Sequence, residues 1–476
     1  MVVFVATFLG VQFFTKTGIF RIPGVVYYDD SLMEYEISML ENVFTEQVDL
    51  DENVTISARY ELKLPELDSN EFLYDIGVVV TDFYSTETNV VVDTVEDLFL
   101  NNYNIINIDD LDFRKKLLKI NGDYYLDDFM AGAIFRIISF ESEAYAEEIE
   151  PLVSGLFDKE FPQSETVLTL AQTGVTAFSR LMNAKMNVVG NGEYFAEQLA
   201  AYLSEFDLTH TSNEASFSDW APTGGATGTP ICADKRFMDT LTSIGLDIVE
   251  LTGNHNRDCG DGPAIESIDM YKANGIQIVG GGKTADEAAV PLVIDKKGND
   301  VTLLAYNLST GGATYDDTPG ANQYYEDVAA AQIAEAKARG DLVIVDMQYY
   351  ECNYYVSDTE ETYCDYAGSM AGDQIGFFRH LIDLGADIVV GTSAHQPQTY
   401  ELYGNGAIYY GLGNLFFDQY KWPGTTRSLI LAHYFYNGKI LQTQIVPTVY
   451  DSNFQTGLMD EETAKWFLGR LSSERP

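Results

Sequence analysis

The residues best suited to chemistry follow short apolar runs. Gly253-Asn254-His255 closes the run LDIVELTGNHNRDCG, and His395 sits in GTSAHQPQ behind the run ADIVV. A glycine allows a tight exit from a strand, an asparagine oxygen can ligate a hard cation, and an imidazole can move a proton or act on a metal's water. Asn254, His255 and His395 are therefore candidates for one cleft, with a locally bonded turn histidine as the alternative for each imidazole. Glu214, in HTSNEASF, joins them as a cation ligand or as a carboxylate that orients a histidine; a solvated turn is its alternative. Arg180 ends TGVTAFSR and could meet developing negative charge. Behind DLVIVDM stand Gln348, Tyr349, Tyr350 and Glu351, where aromatic faces and one carboxylate suit sugar or peptide recognition, and Gln396 and Asn414 complete the expected substrate contacts. His380 in FFRHLIDL and His433 in LILAHYFY read as packing histidines.

These candidates need an open α/β sheet, because ligands gather where parallel strands end. The strand-like runs are VLTLAQTG, LDIVELTGN, IQIVGG, VTLLAYN, DLVIVDMQYY, ADIVVGTS and AIYYGLGNLFF. Between them lie amphipathic stretches such as YFAEQLAAYL, KRFMDTLTSIG, PAIESIDMYKANG, EDVAAAQIAEAKARG and QIGFFRHLIDLG, with glycines such as Gly245, Gly275 and Gly385 at the expected stop positions. This rhythm begins near Glu165, after the Pro-containing stretch DKEFPQSE. Before it, VVFVATFLGV, VTISARYELKL, FLYDIGVVVTDFY and NVVVDTV alternate with acidic loops, the composition of a smaller β-rich α+β domain. The expected division is 1–164 accessory domain, 165–450 α/β domain and 451–476 C-terminal tail or helix.

At 476 residues the chain is too long for one ordinary core. Subtracting 73 acidic from 28 basic residues leaves a net charge of −45, which repels phosphate backbones and argues against a nucleic-acid partner. Cys232, Cys259, Cys352 and Cys364 lack zinc-finger spacing; Cys352 and Cys364 bracket a short polar loop and could pair, with buried free thiols as the alternative. The apolar opening MVVFVATFLGVQFF has no basic residue before it and is too short to span a bilayer, so a first strand or the remnant of an export signal is expected there, and no transmembrane segment elsewhere.

LDIVELTGNHNRDCG, together with LIDLGADIVVGTSAHQPQTYELYGNGAIYYGLGNLFFDQ, TGVTAFSR and HTSNEASF, resembles in order and spacing the signatures of the CapA family of capsule and poly-gamma-glutamate biosynthesis proteins. The resemblance spans about Glu165 to Gln419. It implies a metallophosphoesterase-like αββα sandwich and an extracytoplasmic or cell-envelope location. It also implies a role in capsule, poly-gamma-glutamate or exopolysaccharide synthesis. The departures are specific. The first-strand Gly-Asp is replaced by Gln172-Thr173-Gly174-Val175, the usual H-W-G by Gln348-Tyr349-Tyr350-Glu351, and G-H-H-P-H by Gly391-Thr392-Ser393-Ala394-His395. Asn254, His255, His395 and Glu214 are too few for two ions in the usual way, so one divalent ion or none is expected.

Beside an intact metallophosphoesterase that uses substitute ligands such as Glu351 or Asp258, the sequence leaves two further readings open. In one, the chain is a metal-assisted hydrolase or transferase of an anionic or glycan polymer, or of its precursor, with His255 as general acid or base, His395 and Arg180 beside it. In the other, it is a polymer- or glycan-binding protein that kept the fold and lost most metal ligands.

Overall fold

The computed structural model describes residues 26–476, apart from 30, 48–53, 142–149, 154–155, 157–159, 226–227, 229, 309–310, 350–373 and 421–423. The opening apolar stretch and Tyr350, Glu351, Cys352 and Cys364 thus lie outside the described residues. The chain divides into two compact units: Met1–Asp82, Glu87–Leu111 and Leu117–Ser164 form the first, and Phe83–Thr86, Asp112–Lys116 and Glu165–Pro476 the second.

In the first unit, strands Val26–Tyr28, Val54–Lys63, Ala131–Glu141, Glu71–Asp82 and Asn104–Asn107 lie side by side in that order, antiparallel except for the first pair. The helix Glu34–Gln47 lays Leu40 among Val54, Ile56, Ile138 and Phe140. Inside this core the Arg136 guanidinium is paired with Glu36 at 2.5 Å, a buried charge balanced by its partner.

The second unit is an αββα sandwich. Its first sheet orders β4 (Gln277–Val279), β3 (Leu246–Glu250), β2 (Leu208–Asn213), β1 (Leu168–Thr176), β12 (Arg427–Tyr436), β13 (Lys439–Tyr450) and β14 (Thr456–Leu458), with β11 (Asn414–Phe416) also on β1. β1 to β4 are parallel, and β12 to β14 continue the sheet antiparallel. The second sheet orders β5 (Leu292–Lys296), β6 (Asn299–Asn307), β7 (Leu342–Gln348), β8 (Ile388–Gly391), β10 (Gly406–Tyr409) and β9 (Tyr400–Tyr403), with β6, β7, β8 and β10 parallel.

Strand alternation sorts the side chains into three apolar layers. Leu168 and Leu170 of β1 meet Leu303, Ile344 and Val390 of the other sheet in the central layer. Ala171 and Val175 face outward to Met182 of α1 (Leu181–Val189), Leu241 of α2 (Met238–Ser243) and Ile268 of α3 (Asp261–Ala273). On the far side Leu304, Val345 and Met347 pack against Ile333 of α4 (Glu326–Arg339) and Phe378 of α5 (Gln374–Asp383). Gly245 and Gly275 take left-handed conformations with φ of +68° and +76°, which lets α2 and α3 stop directly before the next strand. The segment set apart in the sequence as a tail or helix forms β14 and α6 (Glu461–Ser473), which sinks Phe467, Leu468 and Leu471 into the central layer of the second unit. Among the described residues no helix is long and apolar enough to cross a membrane.

Candidate functional site

Four strands of the sandwich deliver polar residues to one place beyond their carboxyl ends. Glu214, one residue past β2, is fully buried, and its backbone N–H donates to the Thr176 carbonyl at 2.9 Å. The loop after β3 runs hard against it: a Cβ on Gly253 would lie 2.6 Å from the Glu214 Cα, so this position excludes every side chain. β7 contributes Gln348, whose Nε2 lies 3.3 Å from Glu214 Oε1, 3.3 Å from Asn254 Oδ1 and 3.1 Å from Ser393 Oγ. Ser393 and His395 follow β8, and His395 Nε2 is 3.9 Å from Glu214 Oε2. Asn254, Gln348, Ser393 and His395 are thus gathered beside the buried Glu214 carboxylate.

Both imidazoles are held at Nδ1. In His395 it meets Asn414 Oδ1 at 3.0 Å, while the Asn414 amide nitrogen donates to the Thr425 carbonyl at 3.0 Å. The second bond fixes the amide, so its oxygen must accept; His395 therefore carries its proton on Nδ1 and a lone pair on Nε2. In His255, Nδ1 meets Asp258 Oδ2 at 2.9 Å, and the same oxygen accepts from the Ile231 N–H at 2.9 Å. The His255 loop is further bolted by Asn256 Nδ2 to the Leu251 carbonyl at 2.8 Å and by a disulfide between Cys259 and Cys232. The sequence did not single out this pairing.

The two rings are pushed in opposite directions. Burial disfavours charge on His255, but the Asp258 bond and the charges of Glu214 and Asp258 outweigh it and raise its pKa above the usual histidine range. Burial dominates at His395 and lowers its pKa, against the pull of Glu214 and Asn414. Their side chains remain 22% and 20% exposed, so both can be reached from solvent.

Several expected contacts are placed differently. Tyr349 does not line the cleft: consecutive strand residues face opposite ways, and with Gln348 turned to the site Tyr349 packs in the outer layer against Phe377 and Phe378. Arg180 is buried against Asp418, donating from Nε to both carboxylate oxygens at 3.1 and 3.2 Å and from Nη1 to the Gly228 carbonyl at 3.0 Å. Its charge is thereby compensated, and its plane lies 4.9 Å over Phe417, which carries the His395 ring 5.2 Å from its own. Asn414 is 1% exposed and serves as the holder of His395 rather than as a contact for substrate. Gln396 is buried, and neither of its amide atoms has a hydrogen-bond partner among the described residues. His380 is not a packing histidine; it reaches Glu326 from the face of α5 at 2.7 Å.

Beneath the site lies a polar cluster within the central layer. Asp346 accepts from Gln172 at 2.5 Å and lies 3.0 Å from His210; Gln172 in turn faces His433 at 3.2 Å, and His433 meets Thr443 at 2.9 Å. Gln172, which follows the first apolar run, is therefore turned into the sandwich and away from the rim. Glu250, fully buried near Asp346, binds the Thr252 N–H at 2.5 Å just ahead of the Gly253 loop. Gln348 stands at the strand end where the apolar run places it, beside Asn254, whereas Asp258 is found as the holder of His255, a role that its position three residues on in the sequence does not by itself reveal.

Among the described residues no three His, Cys, Asp or Glu side chains are grouped to hold a metal ion. The donor set around Glu214 also does not fit one, because a carboxamide nitrogen, which has no lone pair to give, stands among the oxygens.

An αββα sandwich with its polar site where parallel strands of two sheets end is an α/β fold of the metallophosphoesterase-like kind. The chain belongs to the family described as bacterial capsule synthesis protein PGA_cap, whose model matches residues 169–419. The capsule biosynthesis protein CapA of Bacillus anthracis is 25% identical over 223 residues, 46% of this chain and 51% of that protein. The PGA biosynthesis protein CapA of Bacillus subtilis is 25% identical over 205 residues, covering 42% and 50%. The chain thus spans about half the length of these curated relatives. The solved structure of TT1561 of Thermus thermophilus aligns over 57% of this chain and 100% of its own, with a TM-score of 0.29 and 11% identity.

Proposed function

We propose that this chain is a hydrolase or transferase of a capsule-type polymer or its precursor, working by paired acid and base histidines at the rim of the sandwich. The observation that carries the reading is that each imidazole is held at Nδ1 by a side-chain oxygen, with Nε2 of His395 set beside Glu214. His395, with its lone pair on Nε2, takes a proton from the attacking water or hydroxyl. His255, whose pKa is raised, returns one to the leaving group. The proton count balances over the step, and both histidines are reset by exchange with solvent. The Cys232–Cys259 disulfide supports an extracytoplasmic location, where such bonds persist.

The test is to incubate the full chain with poly-gamma-glutamate and with capsular glycan and follow chain length chromatographically. His255→Ala and His395→Ala should each slow cleavage about 100-fold or more without abolishing polymer binding. Retention of polymer with no cleavage, unaltered by either substitution, would overturn it in favour of a binding protein. That second reading is favoured by one observation: Val175, beyond Gly174 at the end of β1, is packed in the outer apolar layer where the family resemblance implies a metal-binding Asp.

A further inference from the structure

We infer that Gln348 occupies the place of a divalent cation, so that this site works without a metal and is suited to a neutral amide or glycosidic bond rather than a phosphoester. The inference rests on the acid–base reading for its chemical consequence, but its central claim concerns cation binding and can be measured without turnover.

Three oxygens from three different strand ends converge on one atom. Glu214 Oε1 and Asn254 Oδ1 each lie 3.3 Å from the Gln348 nitrogen, and Ser393 Oγ lies 3.1 Å from it. At the other end of the amide the Thr392 hydroxyl lies 3.4 Å from Gln348 Oε1, a long contact that agrees with the same orientation. Reversing the amide would turn its oxygen onto a carboxylate and a second amide oxygen, a repulsive arrangement, so the surroundings dictate that nitrogen points inward. Divalent ions of the Mg²⁺ and Ca²⁺ type gather oxygens at roughly 2.0–2.6 Å. Oxygens arranged around an amide nitrogen at these distances already have a donor at their centre, and an ion would have to expel it.

The substitution also changes what the cleft can accept. A phosphate brought to Glu214 would meet a buried carboxylate with no dication between them, and the Arg180 guanidinium is engaged by Asp418. A carbonyl or acetal carries no net charge and avoids that repulsion. The two histidines then supply the proton transfers that such bonds need.

The experiment uses the full chain, gel-filtered without chelator in about 150 mM salt to suppress loose binding to the acidic surface. Elemental analysis should find Mg, Ca, Mn, Fe and Zn all well below one equivalent, and millimolar Mn²⁺ or Ca²⁺ should leave the Tm unchanged. Gln348→Glu, which sets a second carboxylate among the same oxygens, should gain cation dependence, its Tm rising by about 3 °C or more when Mn²⁺ or Ca²⁺ is added. One equivalent of tightly held ion in the wild-type chain would overturn the inference. So would hydrolysis of bis(p-nitrophenyl) phosphate by wild type that depends on added Mn²⁺, or a folded Gln348→Glu chain indifferent to cations. Should that variant fail to fold, the wild-type metal content and phosphoester assay still decide. Absence of polymer cleavage would count against the proposed function alone and leave the cation result standing.

Discussion

Asp258 holds the Nδ1 of His255 at 2.9 Å from only three residues away, within the turn that ends β3. Burial works against charge on this ring, and the Asp258 bond is the largest influence in the other direction. Asp258→Asn keeps the shape and removes the charge. His255 should then titrate at lower pH, followed by the ring resonances in NMR, and any cleavage should lose its alkaline limb at lower pH, because the acid form is depleted sooner. His395, held by Asn414, should shift less and in the opposite direction, since the His255 charge contributes to its depression.

The Cys232–Cys259 disulfide fastens the same turn to the strand Cys232–Asp234, closing a loop with a separation of 27 residues. Loop-closure entropy for that span corresponds to roughly 3–4 kcal/mol of stability. Cys232→Ala with Cys259→Ala should lower the unfolding free energy by about that amount in urea titrations, and amide exchange should rise first in residues 253–260. A double variant as stable as wild type would show that the turn is held by Asn256 and Asp258 alone.

Glu250 places a carboxyl group where water does not reach. Burial, aided by the Asp346 charge, pushes its pKa up to about 7, against the bonds from Ser212 and Thr252 and the pull of His210. A carboxyl group raised in the folded state favours folding below its unfolded pKa, and that contribution is lost as pH rises through about 7. Between pH 5 and pH 8 the wild type should lose about 2–3 kcal/mol relative to Glu250→Gln, read from paired urea titrations.

Much of this arrangement is written locally in the chain. Strands such as β7 are buried on both faces and therefore appear as nearly continuous apolar runs, and the residues that follow them mark the site rim. The same property hides orientation. In LVIVDMQYY nothing but register decides whether Gln348 or Tyr349 turns inward, and that register is set by pairing Asn307 with Gln348 across the sheet. Long-range partners are hidden for a related reason: Cys232 with Cys259 and Arg180 with Asp418 meet only after the sheets assemble. The pattern of YFAEQLAAYL suggests one helix, but the chain there forms a 3-10 turn at Glu193–Ala196 and a short helix at Ala200–Leu203.

Arg180 supplies the last prediction, because its position allows a structural role to be separated from a chemical one. Its φ of +46° is unfavourable for a side chain of this size, and it is retained while the guanidinium is gripped by Asp418 and stacked on Phe417. Asp418 also accepts the Leu181 N–H at 2.9 Å, so one carboxylate anchors both the arginine and the start of α1. Removing it leaves a buried, uncompensated guanidinium, which costs about 3–5 kcal/mol. Asp418→Asn should therefore be strongly destabilised in urea titrations, and Arg180→Met together with Asp418→Leu should recover a large part of the loss, since the charge and its partner leave together. Were Arg180 instead a group that meets charge on the substrate, the double variant would regain stability yet bind polymer far more weakly than wild type. Equal binding by the stable double variant and wild type is the outcome expected here.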